Sequence, residues 1–222
     1  MNTNIGSIKH TLGCWLLGTT MGFMAATASA GVLLQQAPLD TGISFYSSIG
    51  AGQQNADNFA FGSQVKLDGI GWWGSYSVDQ GDDFVVRIFS DNSGSPDTSP
   101  LNTFNLVASK TSTSLTDNAG QAVSYYEIAF ASLDLQAGSI YYLSINNEAS
   151  VWNWLEATAG NSKNWYRFAD GDSWNLDQTF DFSFKLLGTR VNVVPEPSIL
   201  PLFALGALSL YAGIRFRRRS FL

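Results

Sequence analysis

The chain has 222 residues, 45% of them hydrophobic, and a formal net charge of −6. Residues 31–194 hold seven Lys and Arg against seventeen Asp and Glu, which argues against nucleic acid and anionic membrane surfaces, where phosphate contacts need basic residues. His10 and Cys14 are the only histidine and cysteine, so everything beyond them lacks the groups for Ser-His-Asp or Cys-His catalysis, His-ligated zinc and disulfides.

The first thirty residues read as a signal peptide. Lys9 is a short basic lead, Leu12 to Ala26 is mostly apolar, and Ala28-Ser29-Ala30 is an A-x-A cleavage site for signal peptidase. Cutting after Ala30 releases a chain that starts at Gly31. A competing lipoprotein-type processing at Cys14 has its leucine one place off the usual spacing and almost no apolar segment before the cysteine.

The middle of the chain reads as β throughout. An early strand falls around Ile43 to Ile49 and another at Leu67 to Tyr76. Alternation of Phe84, Val86 and Ile88 marks a third, and Leu101 to Ala108 follows. Tyr126, Ile128 and Phe130 alternate in SYYEIAF, ahead of Ile140 to Asn146, Val151 to Leu155 and Asn164 to Phe168. Phe180 to Leu186 alternates strictly, as in a strand with one wet face. Between them lie AGQQNADN, VDQGDD, SDNSGSPDTSP, TDNAGQ, LQAGS and ADGDSWN, rich in residues that favour turns. Eight or nine short strands so punctuated predict one all-β domain over residues 31–190, an antiparallel, jelly-roll-like β-sandwich.

Asn192 to Pro197 reads as an extended linker within a terminal segment, 191–222. Ser198 to Ile214 is an uncharged stretch of 17 residues, close to the minimum for a transmembrane helix of ~1.5 Å rise per residue. Pro201 sits in its first turn, where the missing N–H costs little. Arg215, Arg217, Arg218 and Arg219 end it and would stay on the cytoplasmic side. A buried C-terminal helix is the alternative, but such a helix does not usually end in an arginine cluster.

Val194-Pro195-Glu196-Pro197, the short apolar helix and the arginine cluster together resemble the PEP-CTERM sorting signal. In that family the tail is recognised by exosortase, a membrane-embedded transpeptidase, and is thought to be cut near Pro195-Glu196-Pro197. The resemblance implies a Gram-negative bacterium that makes exopolysaccharide. It also implies a protein held transiently at the inner membrane, then placed at the cell surface or in the extracellular matrix. It covers about an eighth of the chain and gives an address, not an activity. The stretch from Asp57 to Leu101, with its I-x-W-W-G and D-D-F-x-x-R-I-F strands, resembles β-sandwich domains of surface proteins that carry this tail, which implies a fold alone.

Three constellations are candidates for chemistry. Trp72, Trp73, Trp152, Trp154, Trp165 and Trp174 offer flat faces on which sugar rings stack, or else they fill a core. Strand parity sends Trp72 and Trp73 to opposite faces, puts Trp152 and Trp154 on one face, and splits Trp165 from Tyr166. Asp170, Asp172, Asn175 and Asp177 are hard oxygen donors close enough in sequence for a structural Ca²⁺. However, Trp174 occupies a ligand position and no Glu closes the loop, so a solvated turn is the competing reading. Glu148 and Glu156 flank one strand and could face each other as a glycosidase pair, though no motif fixes them. The sequence therefore predicts an exported, non-catalytic structural or glycan-binding protein associated with exopolysaccharide. The alternative is a secreted carboxylate-dependent glycoside hydrolase or lyase.

Overall fold

The computed structural model describes residues 31–48, 52–78 and 81–191. The signal-peptide segment with Ala28 and Ala30, and the sorting segment with Pro195, Glu196, Pro197 and the arginine cluster, lie outside the described residues. Those residues contain no helix. The strands are β1 (Gly31–Gln36), β2 (Ser44–Tyr46), β3 (Gln54–Ala60), β4 (Val65–Tyr76), β5 (Phe84–Ser90), β6 (Asn102–Asn105) and β7 (Ser109–Thr116). After them come β8 (Ala122–Leu135), β9 (Ile140–Asn147), β10 (Trp152–Leu155), β11 (Asn164–Arg167), β12 (Asn175–Asp177) and β13 (Phe184–Arg190).

They form two antiparallel sheets. In the seven-stranded sheet β4 is central, with β8 and then β7 on one side. Its other edge is shared: β13 and then β1 pair along Val65–Trp72, while β10 and then β2 pair along Gly74–Tyr76. The six-stranded sheet runs β12-β11-β3-β9-β5-β6.

Period-two patterning explains the core, with one correction of phase. Leu67 and Ile70 are both fully buried, yet they stand three apart, which a regular strand would send to opposite faces. A register shift between Leu67 and Gly69 against β8, and another between Leu187 and Gly188 on β13, absorb the odd residue as a bulge. Val65, Leu67, Ile70 and Trp72 then all face Phe59, Val86, Ile88 and Leu143 of the other sheet. Trp72 and Trp152 meet Phe84 edge-on across the gap, at 5.1 and 5.2 Å between ring centroids. Gly74 makes room for this: a Cβ there would run into the Trp152 ring and the Asn153 carbonyl.

The described residues hold thirteen strands where eight or nine are expected, β1, β7 and β12 among the additions, and two further expectations change. Phe180 to Leu186 does not have a wet face, because Asp181 and Ser183 are as buried as Phe180, Phe182 and Phe184. The polar side chains are satisfied inside the protein. Asp181 accepts from the backbone N–H groups of Asn161 and Ser162, and Ser183 Oγ donates to the Leu155 carbonyl. The second change is β3, which begins inside a stretch whose Asn, Gln and Gly content reads as a turn. Its Gln54, Asn55 and Asp57 are buried and hydrogen-bonded instead.

Two buried aspartates give the fold opposite responses to pH. Asp57 is fully buried, and its Oδ2 accepts the Phe182 N–H at 2.5 Å. Burial pushes its pKa well above the ordinary 3.8, and the nearby Asp181 charge adds to this against the pull of the Phe182 N–H. Asp57 Oδ1 has no hydrogen-bond partner among the described residues, and the Asn58 N–H and the Gln36 side chain offset the rise only in part. Asp117 is the reverse case. Burial alone would raise its pKa, but hydrogen bonds from Ser75, the Gln121 N–H, Ser44 and the Ala119 N–H together hold it below 3.8.

The signs follow by linkage. The Asp57 contribution is full below about 3.8 and lost as pH rises through its elevated pKa, whereas that of Asp117 is present above about 3.8 and lost as pH falls through its depressed one. Asp57→Asn should therefore stabilise the protein at neutral pH, since it removes a buried charge. Asp117→Asn should cost about 1–3 kcal/mol there and progressively less in acid. Urea titrations at several pH values check both, and a neutral-pH loss from Asp57→Asn would contradict the assignment.

Candidate functional site

Beside the core, an open groove of about 310 Å³ separates the edge of one sheet from the edge of the other. Phe45 on β2, with Phe180 and Phe182 before β13, forms one wall; Gln53, Asn55, Asn164, Tyr166, Phe168 and Asp177 form the other. Cross-strand register assembles the second wall. Asn164 pairs with Asp57 on one side and with Asp177 on the other, and Tyr166 pairs with Asn55 and Asn175. Alternation along β11 places Asn164, Tyr166 and Phe168 toward the groove, and Trp165 and Arg167 toward the far face.

Aromatic surface in the groove is partly open. Phe168 is 62% exposed and meets Tyr166 edge-on at 5.6 Å, while Phe45 stacks on Phe180 at 4.5 Å. The polar groups are held rigidly from behind. Asn55 Nδ2 donates to the Tyr46 carbonyl at 2.6 Å and its Oδ1 accepts from Gln53 Nε2 at 2.9 Å. Asn164 Nδ2 donates to the Phe180 carbonyl at 3.0 Å, and Asp177 Oδ1 accepts from Thr179 at 2.8 Å. Flat rings beside fixed carboxamides and a carboxylate can stack a sugar ring and bind its hydroxyls.

The tryptophans predicted to bind glycan occupy other places. Trp72, Trp152 and Trp154 are fully buried in the main core, so none of them offers a face to a sugar; Trp154 also spends its Nε1 on the Ser183 carbonyl. Trp165 is 4% exposed and packs edge-on against Tyr142 in a second, smaller core on the outer face of the six-stranded sheet. Trp174 caps that core, with Nε1 donating to the Asp97 carbonyl and the ring 4.5 Å from the Arg167 guanidinium. Trp73 alone of the six turns to the outer face of the seven-stranded sheet. It is half-buried there beside Tyr125 at 4.8 Å, and the Tyr125 ring lies over Gly71. Lys185 sits 4.5 Å from that ring, and Tyr125 donates to Glu127.

The four predicted calcium ligands are not brought together. Asp170 is held by two guanidinium groups, Arg167 at 2.7 Å and Arg87 at 3.3 Å. Asn175 and Asp177 belong to β12, with Asp177 in the groove and Asn175 bonded to the Tyr166 carbonyl. Asp172 contributes its backbone N–H to a turn with Ala169. Among the described residues no group of three or more His, Cys, Asp or Glu converges on a point that would hold a metal. Glu148 and Glu156 likewise have separate partners, Arg87 at 3.8 Å and the Ile43 N–H at 2.9 Å.

The groove was reachable from sequence only in part. The Trp165/Tyr166 split puts Tyr166 opposite the core-filling Trp165, but nothing local brings Phe45 or Gln53 to it. No protein-family model matches the chain, and no curated protein is detectably similar to it.

Proposed function

We propose that this protein is an exported, non-catalytic glycan-binding β-sandwich of the cell surface or extracellular matrix. It is delivered through its N-terminal signal peptide and its PEP-CTERM-like tail, and it contacts exopolysaccharide at the groove between β2 and β11–β12. One observation carries the binding role: partly exposed rings and rigidly held carboxamides share an open groove on a domain without histidine or cysteine beyond residue 14. Rings supply the stacking energy and the fixed polar groups the orientation, the usual division of labour in a pocket for a small polar ligand.

Phe168→Ala tests the groove. Most of that side chain is exposed, so its loss should change stability by less than about 0.5 kcal/mol. Retention of full-length protein on the producing strain's own polysaccharide should fall about tenfold, in line with removal of a stacking ring worth ~1–1.5 kcal/mol. Unchanged retention would remove the groove from consideration. Delivery has its own measurement, the intact mass of the protein recovered from cells. Loss of residues 1–30 and of the segment beyond Pro197 is expected; a species that keeps 198–222 refutes cleavage by exosortase.

A further inference from the structure

The groove presents acceptors to its ligand and keeps most of its donors for the protein. Asn164 shows this best. It is 2% exposed, its amide nitrogen is bonded to the Phe180 carbonyl, and among the described residues no donor reaches its Oδ1. That oxygen is not sealed in the interior either, since it is absent from the buried unpartnered atoms of the fold; the groove is the side on which it opens. Gln53 repeats the arrangement, spending Nε2 on Asn55 and leaving Oε1 without a donor among the described residues. Asp177 gives one carboxylate oxygen to Thr179 and retains the other. Asn55 is used at both ends, by Tyr46 and Gln53. Tyr166 O–H, which both donates and accepts, completes the polar set.

Among the described residues no Lys or Arg lines the groove, and Asp177 is the one carboxylate. A buried or half-buried polar atom left without a partner on binding weakens the complex, and like charges brought together weaken it further. A ligand rich in hydroxyl or ammonium hydrogens satisfies Asn164 Oδ1, Gln53 Oε1 and Asp177 at once. One bearing carboxylates meets three acceptors and no cation. We infer that the groove selects neutral or amino sugars and rejects uronic acids. The inference rests on the groove being the glycan site, and it adds the ligand class.

Calorimetric titration of the full-length protein, in a detergent without a sugar headgroup, separates the two statements. The probes are cellohexaose, a glucosamine hexamer and a galacturonate hexamer, each tested on wild type, Phe168→Ala and Asp177→Lys. Wild type should bind the neutral or the amino hexamer at least about tenfold more tightly than the galacturonate, a gap of the size produced by one unmatched charged contact. Phe168→Ala should weaken that binding, and Asp177→Lys should narrow or reverse the preference. Galacturonate bound as well as the neutral hexamer, with the same loss in Phe168→Ala, overturns the ligand class and leaves the groove standing. Binding that ignores Phe168→Ala, or no binding of any hexamer, overturns the groove itself.

Discussion

Trp154→Ala is expected to remove most of the protein's stability, because the indole is a core member behind the groove wall of Phe45 and Phe182 and not itself a lining residue. The indole is fully buried and stacks on Phe182 at 4.6 Å, with Trp152 at 6.4 Å. Its Nε1 donates to the Ser183 carbonyl at 2.8 Å. Truncating a core aromatic costs about 3–5 kcal/mol, and a buried carbonyl deprived of its donor adds about 1–3 kcal/mol. Against a domain stability of about 5–15 kcal/mol, that sum brings the folded state close to its limit. Trp154→Phe should recover the packing and lose only the N–H, for an intermediate cost. The urea midpoint orders the three proteins. If Trp154 were a sugar platform, alanine would leave the midpoint unchanged and abolish retention on polysaccharide.

This contrast also marks what a linear reading can and cannot see. Parity is a property of the backbone, so the sequence correctly separates Trp72 from Trp73 and Trp165 from Tyr166, and correctly groups Trp152 with Trp154. Which face of a strand is inside is a property of the partner sheet, and no residue carries that information alone. The six-stranded sheet is the clearest instance, because it buries apolar groups on both faces. Phe59, Val86 and Leu143 enter the main core, while Ala56, Phe89 and Tyr142 enter the smaller one behind it. Alternation cannot announce a strand whose two faces are both covered. The same reason hides the dry setting of Asp181 and Ser183. The groove is harder still, since Phe45 and Phe180 stack across 135 positions of chain. Asp170 shows the gradation within one residue. Its partner Arg167 stands three places away and is legible as a local ion pair, whereas Arg87 arrives from β5.

Arg167 is the hinge of that second core, and its removal is the other large effect. The side chain is only 2% exposed; Nε donates to Gln54 Oε1 at 2.6 Å and Nη1 to the Thr98 carbonyl at 3.2 Å, and the plane lies against Trp174. Burial draws its pKa down and Asp170 opposes that. Since Asp170 is 54% exposed, water replaces much of what the ion pair gives, and the cost of losing Arg167 falls mainly on the buried Gln54 Oε1, Thr98 being exposed. Arg167→Met keeps the stem and should lose about 1–3 kcal/mol for the one buried acceptor it strands, Gln54 Oε1. Arg167→Ala also opens a space under Trp174 and should lose about 3–5 kcal/mol. Asp170→Ala should cost less than about 1 kcal/mol. That ordering separates the ion-pair assignment from the calcium-loop expectation, under which Asp170→Ala would be the damaging change and a chelator would lower the wild-type midpoint by a similar amount. Thermal melts of the three variants, with and without EDTA, therefore decide between a loop held by arginine and one held by a metal.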